Sequence, residues 1–272
     1  MSAPSVKSIR ALERGLDVLQ ALQTGPGAGL KQLHAITGLP KATLLRILRT
    51  LGERNLVWQR MADGAYLPSS RSARPRSDES SRLVEIASPI MAGLCERVNW
   101  PSVLAVRRGA QMEVIETNRP RSHVSHLPLG PVGARISMLL TSTGRAYFSF
   151  CSQAEREEIL ALLQADEASP EAVLARDAVW VAKVVAQTQA QGHGQRDPTI
   201  AGEGVGQKLM ADDGRNSIAV PIIVSGLVVA SLNLTWTRRA TTTPQIVADH
   251  LDDLRAAAAE TSRRLSAMPA DA

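Results

Sequence analysis

Residues 30–67 read LKQLHAITGLPKATLLRILRTLGERNLVWQRMADGAYL, and this stretch decides the fold of the first part of the chain. Apolar residues recur every three or four positions on both sides of Gly38, a spacing that predicts two helices. Gly38 stands where a left-handed residue closes the first helix, and Pro40 stands where the second begins, to run to about Asn55. Their inner faces are predicted to be Leu30, Leu33 and Ile36 in the first helix and Leu44, Leu45, Leu48 and Leu51 in the second.

A β hairpin is predicted immediately after these helices. Residues 56–60 and 65–67 are rich in strand-forming side chains, and Asp63-Gly64 between them is a strong signal for a tight turn. A further helix is predicted upstream, and it ends at the helix-breaking residues 25–27. Its single apolar face consists of Ile9, Leu12, Leu16, Leu19 and Leu22. Three helices followed by a hairpin indicate a winged helix-turn-helix domain over residues 1–68.

Basic charge is concentrated in the first third of this 272-residue chain, which is long enough for two domains. Residues 1–77 hold twelve basic side chains and four acidic ones, a net of +8, whereas the remaining 195 residues have a net of −3. Such asymmetry is typical of a module that binds a polyanion, joined to a part that does not.

The polar side of the third predicted helix carries side chains suited to the major groove of DNA. Arginine pairs with guanine edges, and the N-terminal residues of a recognition helix reach the bases. The other basic side chains of the domain are expected to touch phosphates, and Arg60 a phosphate or the minor groove. The predicted contacts with double-stranded operator DNA are Lys7, Arg10, Lys31, Lys41, Thr43, Arg46, Arg49 and Arg60. The alternative is a small helical bundle with a solvated basic face.

A linker and a mixed domain are predicted after the hairpin. Residues 69–98 are assigned to a linker rich in serine and charge, followed by a helix from about Arg82 that Pro89 is expected to kink or break. Residues 99–272 show strands and helices without strict alternation, which indicates an α+β fold. Strands are predicted at 103–107, 112–117, 218–224 and 227–234, helices at 142–150, 153–163, 170–191 and 244–265, and loops at 127–138 and 192–213.

Several classes of protein are disfavoured by what the sequence lacks. Cys95 and Cys151 have no paired spacing, so neither a disulfide framework nor a metal site is predicted, and no cofactor is expected. The N-terminus has no apolar leader and the most apolar stretch, 218–234, is short and interrupted, so we expect a soluble, cytoplasmic protein. No nucleophile elbow, phosphate-binding loop or metalloprotease motif is present, so an enzyme is not expected. An enzyme with a basic N-terminal appendage, or a winged helix that binds protein or RNA, are the alternatives.

Five segments resemble the IclR (isocitrate lyase regulator) family of bacterial transcription factors. Residues 8–19, SIRALERGLDVL, and 39–48, LPKATLLRIL, are similar to its first helix and its recognition helix. Residues 141–146, TSTGRA, 192–194, GHG, and 218–222, IAVPI, are similar to landmarks of its effector domain. The resemblance extends from Val6 to Leu265. Residues 99–102 and 193–195 most resemble the branch that regulates hydroxyphenylpropionate and related aromatic-acid catabolism.

The resemblance implies a winged helix-turn-helix, a linker helix and a GAF-like effector-binding domain at residues 99–272. It implies a homodimer or tetramer that represses or activates catabolic operons, and a small organic acid as effector. The branch favours an aromatic acid; a small aliphatic carboxylate is the alternative. The loop after Gly194 is longer than the family pattern, and Asp212 and Asp213 are the candidates for its acidic residue. The implied effector contacts are Ala134, Arg135, Ser137, Met138, Leu140, Ser217, Ser231 and Asn233.

The residues alone leave two of these contacts open. Ser231 and Asn233 share one face of a predicted strand, and that face could bind a ligand or simply meet solvent. Arg135 could hold a carboxylate in fork geometry or be a surface arginine.

Overall fold

The computed structural model describes residues 9–23, 27–69, 79–120, 129–166, 169, 171–198 and 213–267. Lys7 and Asp212, both predicted site residues, lie outside these ranges. The chain divides into two compact units, Met1–Glu85 and Ile86–Ala272. No helix in the described ranges is both long enough and apolar enough to cross a membrane.

The first unit contains the predicted helix-turn-helix and hairpin. Gly38 closes the second helix in the left-handed conformation, with φ of +67°, and Gly64 turns the hairpin with φ of +70°. An isolated antiparallel bridge pairs Ala28 with Tyr66 of the hairpin, and the sequence did not predict this pairing. The elements are α1 (Arg10–Gln23), α2 (Leu30–Thr37), α3 (Lys41–Glu53), β1 (Val57–Gln59) and β2 (Tyr66–Pro68).

The predicted inner faces of these helices are only partly correct. In α1 the core uses Val18 and Leu22, whereas Ile9, Leu12 and Leu16 are 68%, 57% and 55% exposed. Ile36 and Leu45 are exposed as well, while Leu33, Leu44 and Leu48 are buried as predicted. Periodicity identifies an apolar stripe, but which of its turns meet a neighbour depends on how the short helices cross.

The second unit is built on a six-stranded antiparallel sheet with the order β5-β4-β3-β8-β7-β6. Helices lie on both faces of this sheet, so the predicted α+β class is confirmed. The strands are β3 (Ser102–Arg108), β4 (Gln111–Asn118), β5 (Arg135–Ser137), β6 (Gly194–Gln195), β7 (Arg215–Val224) and β8 (Leu227–Thr237). The helices are α4 (Glu79–Val98), which begins in the first unit, and α5 (Ser142–Phe150), α6 (Gln153–Ala165), α7 (Ala172–Arg176), α8 (Ala178–Gln191) and α9 (Thr243–Ser266).

The strand register decides which side chains share a face of the sheet. Ala105 pairs with Ser231 and lies in one buried cluster with Phe148 of α5, so this side is called the α5 face. Ser142 of α5 also bonds to Ser217 on this side. The opposite face is covered by α4 and α9: Ser88 of α4 donates to Glu116 at 2.9 Å, and Asn216 donates to Thr243 of α9 at 2.9 Å.

Three local predictions are wrong. Helix α4 continues through Pro89, so the predicted break does not occur; buried residues such as Met91 and Leu94 pack the helix against its surroundings and compensate for the one hydrogen bond that proline lacks. The single helix predicted at 170–191 is two helices, because Asp177 ends α7 and caps α8 by accepting a bond from the Trp180 nitrogen at 2.9 Å. The predicted loops contain the short edge strands β5 and β6, which pair with longer neighbours.

Candidate functional site

The outward face of α3 is basic. Lys41, Arg46 and Arg49 are exposed, and Thr43 is half-buried in the first turn of the helix. Leu44 and Leu48 point the other way, into the core of the first unit. Arg49 forms a surface ion pair with Glu53 at 3.0 Å. The helix therefore presents its N-terminal turn, free of acidic side chains, together with two guanidinium groups.

The remaining predicted DNA contacts of the first unit differ in how accessible their side chains are to DNA. Arg10 on α1 and Lys31 on α2 are exposed. Arg60, just after β1, is 17% exposed and holds Asp63 of the hairpin turn through two bonds of 3.0 and 2.6 Å. This pairing keeps the pKa of Asp63 below its ordinary value. A DNA phosphate near the hairpin would thus have to compete with Asp63 for the Arg60 side chain. The turn signal in the sequence did not reveal this pairing.

On the α5 face of the second unit, Ser231 stands out among the predicted effector contacts. Its side chain is fully buried, and its hydroxyl has no hydrogen-bond partner among the described residues. Its neighbours across the sheet are Ala105 on β3 and Pro221 on β7, neither of which has a polar side-chain atom. An unpartnered buried hydroxyl costs about 1–3 kcal/mol, so it needs an explanation.

The other polar residues of this face are engaged within the protein. Asn233 accepts a bond from the Val103 nitrogen at 2.7 Å and donates one to Thr235 at 3.2 Å. A primary amide has two donor hydrogens, so one remains. Ser217 accepts a bond from the Ser142 hydroxyl at 2.7 Å.

Apolar side chains lie beside Asn233 on this face. Val103, Val114 and Leu129 form a buried cluster against which Ala134 and Ile136 pack. Met138 and Leu140 are fully buried in the adjoining cluster that contains Ala105. Of the predicted effector contacts, the structure therefore brings Ala134, Ser231 and Asn233 together around β3, β4 and β8.

Arg135 lies on the other side of the sheet. Met112 pairs with Ile136 and belongs to the α5-face cluster, so the neighbouring pair Glu113–Arg135 faces away from it. Arg135 is 45% exposed and contacts Glu113 at 3.0 Å. Arg135 therefore does not belong to the ligand site on the α5 face.

Asp213, a candidate for the acidic residue of the long loop, is held by two arginines. It pairs with Arg196 at 3.2 Å and with Arg215. Burial raises the pKa of Asp213, but the bonds from Arg215 and Arg196 outweigh it, so its pKa lies below the ordinary value.

Three buried charged residues near the site were not predicted. Arg145, Asp197 and Glu171 all contact the segment 137–141, which links β5 to α5. Burial is the largest influence on the pKa of Arg145, which it lowers, and of Glu171, which it raises. The only signal in the sequence was Arg145, the single charged residue of the predicted helix at 142–150.

Comparisons with known proteins agree with this architecture. Residues 11–60 match the family described as the IclR helix-turn-helix domain. This segment of the chain therefore matches an IclR-type helix-turn-helix domain. The acetate operon repressor of Salmonella typhimurium is 26% identical over 165 residues, which are 60% of this chain and 59% of the repressor. That alignment thus spans less than two thirds of the relative's own length.

Solved IclR structures share the fold. The Thermotoga maritima IclR structure matches with a TM-score of 0.55 at 17% identity and covers 94% of this chain and 98% of its own. An IclR homologue from Microbacterium hydrocarbonoxydans, complexed with 4-hydroxybenzoate, matches with a TM-score of 0.53 at 22% identity and covers 95% of this chain and 100% of its own. The predicted fold class is therefore confirmed, and the match at residues 11–60 supports the predicted family.

Proposed function

We propose that this IclR-family protein is a transcriptional regulator that binds double-stranded operator DNA through α3 and a small organic acid on the α5 face. The DNA-binding half rests on one observation above others: α3 directs Lys41, Arg46 and Arg49 outward from a unit whose leucines form its core. Arginine on such a helix can donate two bonds to one guanine, and an exposed helix N-terminus favours phosphate.

The acid-binding half rests on Ser231. A ligand oxygen would satisfy its buried hydroxyl, and the remaining donor of Asn233 lies two residues along the same strand face. The cluster of Val103, Val114 and Leu129 offers an apolar wall of the kind that an aromatic ring requires. The Microbacterium structure with 4-hydroxybenzoate has the same fold, which supports an aromatic acid over an aliphatic one.

Ser231→Ala is expected to weaken binding of the effector acid by about tenfold, the equivalent of one lost hydrogen bond near 1.4 kcal/mol. Calorimetry of the full chain should compare 4-hydroxybenzoate and other aromatic acids with glyoxylate and acetate. Arg135→Ala is the matched control, since Arg135 faces away from the site, and it should leave the affinity unchanged.

The same titrations test the alternatives. Tighter binding of glyoxylate than of every aromatic acid would make the effector aliphatic. An affinity lost in Arg135→Ala but kept in Ser231→Ala would move the site to the other side of the sheet. Conversion of an acid into a new compound during the titration, followed by NMR, would identify an enzyme instead.

We also propose that the protein is a homodimer or a tetramer that pairs through α1. Ile9, Leu12 and Leu16 follow one another at helical spacing and are all more than half exposed. Three large apolar side chains on one exposed stripe are typical of a contact surface between chains. A dimer would also place two copies of α3 on a twofold-related operator.

Leu12→Asp is expected to raise the dimer dissociation constant by at least about tenfold, because burying one leucine is worth roughly 1.5–3 kcal/mol. Sedimentation equilibrium at micromolar concentration measures it. Leu227→Asp is the control, since Leu227 is 62% exposed in the second unit. A wild-type protein that sediments as a monomer with and without DNA would contradict the proposal.

A further inference from the structure

We propose that Arg145, Asp197 and Glu171 are positioning residues of the ligand site. They fix the backbone of the segment 137–141. The inference rests on the proposed acid-binding site, because this segment continues from β5, whose Ile136 packs against the apolar wall of that site. Each of the three residues bonds to a backbone atom of this segment.

Both backbone groups of Leu139 are held by charged side chains. Its carbonyl oxygen accepts a bond from Arg145 Nε at 2.8 Å, and its nitrogen donates to Glu171 Oε2 at 2.8 Å. Arg145 lies on α5, and Glu171 directly precedes α7. Leu139 is therefore fixed from two directions by elements that are separate in the chain.

Asp197 extends this arrangement to the next residue. Its backbone nitrogen donates to the carbonyl oxygen of Leu140 at 3.0 Å, while its carboxylate pairs with Arg145. Arg145 also donates to the carbonyl of Gln195 on β6 at 3.4 Å and lies 5.6 Å from the ring centre of Trp180. Through Arg145 and Asp197, the segment 137–141 is thus linked to β6 and to the residues that follow β6.

The burial of these groups makes a purely stabilising role a poor explanation. Arg145, Asp197 and Glu171 are 8%, 5% and 5% exposed. Replacing a buried ion pair by apolar residues of the same size is often neutral or stabilising, so the Arg145–Asp197 pair is weak evidence for a stabilising role. Here the bonded groups are backbone atoms of the segment beside the ligand site, so the arrangement serves to fix its conformation.

Arg156, which lies on α6, offers a matched control for Arg145. Arg156 donates to the carbonyls of Phe148, Ser149 and Cys151 at 3.0, 3.1 and 3.2 Å, at the other end of α5. Arg145→Gln and Arg156→Gln each remove a guanidinium that bonds to backbone carbonyls. Only the first of them touches the segment 137–141.

The experiment measures 4-hydroxybenzoate binding by calorimetry and amide hydrogen exchange by mass spectrometry on the full chain. Arg145→Gln and Asp197→Asn are expected to weaken binding by about tenfold and to speed exchange in peptides that cover 137–141 by about tenfold. The first removes the donor to the Leu139 carbonyl, and the second removes the carboxylate that pairs with Arg145. Arg156→Gln should change neither by more than about twofold. Arg145→Lys, which keeps the charge opposite Asp197, should lie between wild type and Arg145→Gln.

The two readouts separate this inference from the proposed function. If 4-hydroxybenzoate and the other acids do not bind wild-type protein, the proposed ligand is wrong, and exchange in 137–141 decides the positioning role by itself. Unchanged exchange in Arg145→Gln and Asp197→Asn overturns the inference. Equal losses of affinity in Arg145→Gln and Arg156→Gln also overturn it, since both would then act only through overall stability.

Discussion

Arg46→Ala is expected to lower affinity for the operator by about 5- to 150-fold, since one arginine that contacts a guanine edge is worth roughly 1–3 kcal/mol. Arg46 is exposed one turn after the start of α3, opposite the buried Leu44 and Leu48. Fluorescence anisotropy should compare operator DNA with a random duplex of the same length. The loss should be larger on the operator, because a base contact carries sequence information and a phosphate contact does not.

Two further variants separate the roles of charge and position. Lys31→Ala should weaken binding to both duplexes alike and reduce the salt dependence, as expected for a phosphate contact. Arg264→Ala, on α9 in the second unit, removes the same charge as Arg46→Ala from a side chain that is 53% exposed, and it should leave both affinities unchanged. An Arg46→Ala protein that binds its operator like wild type would exclude α3 as the recognition helix.

Gly194→Ala is expected to destabilise the second unit by about 3 kcal/mol, the upper end of what an overpacked core site costs. A Cβ on Gly194 would lie well inside contact distance of the Ser142 oxygen and 2.5 Å from the Ala146 nitrogen, both backbone atoms of α5. Neither can swing away as a side chain would, so β6 and α5 would have to separate. Urea unfolding followed by circular dichroism measures the change.

Gly93→Ala is the control for this prediction. Gly93 lies in α4 within the second unit, and the nearest atom to a Cβ there would be the flexible Arg97 Nη1 at 3.6 Å. Alanine should therefore stabilise the protein by up to about 1 kcal/mol, because it favours helix more than glycine does. If the two variants unfold at the same urea concentration, the close approach of β6 and α5 does not exist in solution.

Prediction from the sequence was accurate for elements whose apolar periodicity extends over several residues or whose turn residues are distinctive. The three helices around Gly38, the hairpin at Asp63-Gly64 and the long strands β7 and β8 all follow from periodicity and turn chemistry. It failed for β5 and β6, which have three and two residues, because so short a strand shows no alternation and exists only through its pairing partner.

The ligand site shows the same limit more sharply. The sequence placed Ser231 and Asn233 on one strand face, and the register of β3, β7 and β8 puts them on the side where α5 lies. It could not show that the Ser231 hydroxyl lacks a hydrogen-bond partner among the described residues. Nor could it show that Asn233 bonds to Val103, which is 130 positions away in the chain. The family resemblance implied Arg135 as an effector contact, yet the pairing of β5 with β4 places it on the other face.

By itself, the sequence determined a basic winged helix-turn-helix joined to an α+β domain, because apolar spacing, turn residues and charge segregation act over a few residues at a time. The tertiary structure alone decided which apolar turns of α1 stay exposed, which hydroxyls are buried without a partner among the described residues, and which charged side chains meet. Arg145 and Asp197 are 52 residues apart in the chain, and Leu139 lies between charged groups from two different segments. Such contacts depend on how strands register and helices cross, and those are settled by the packing of the whole unit rather than by any stretch of it.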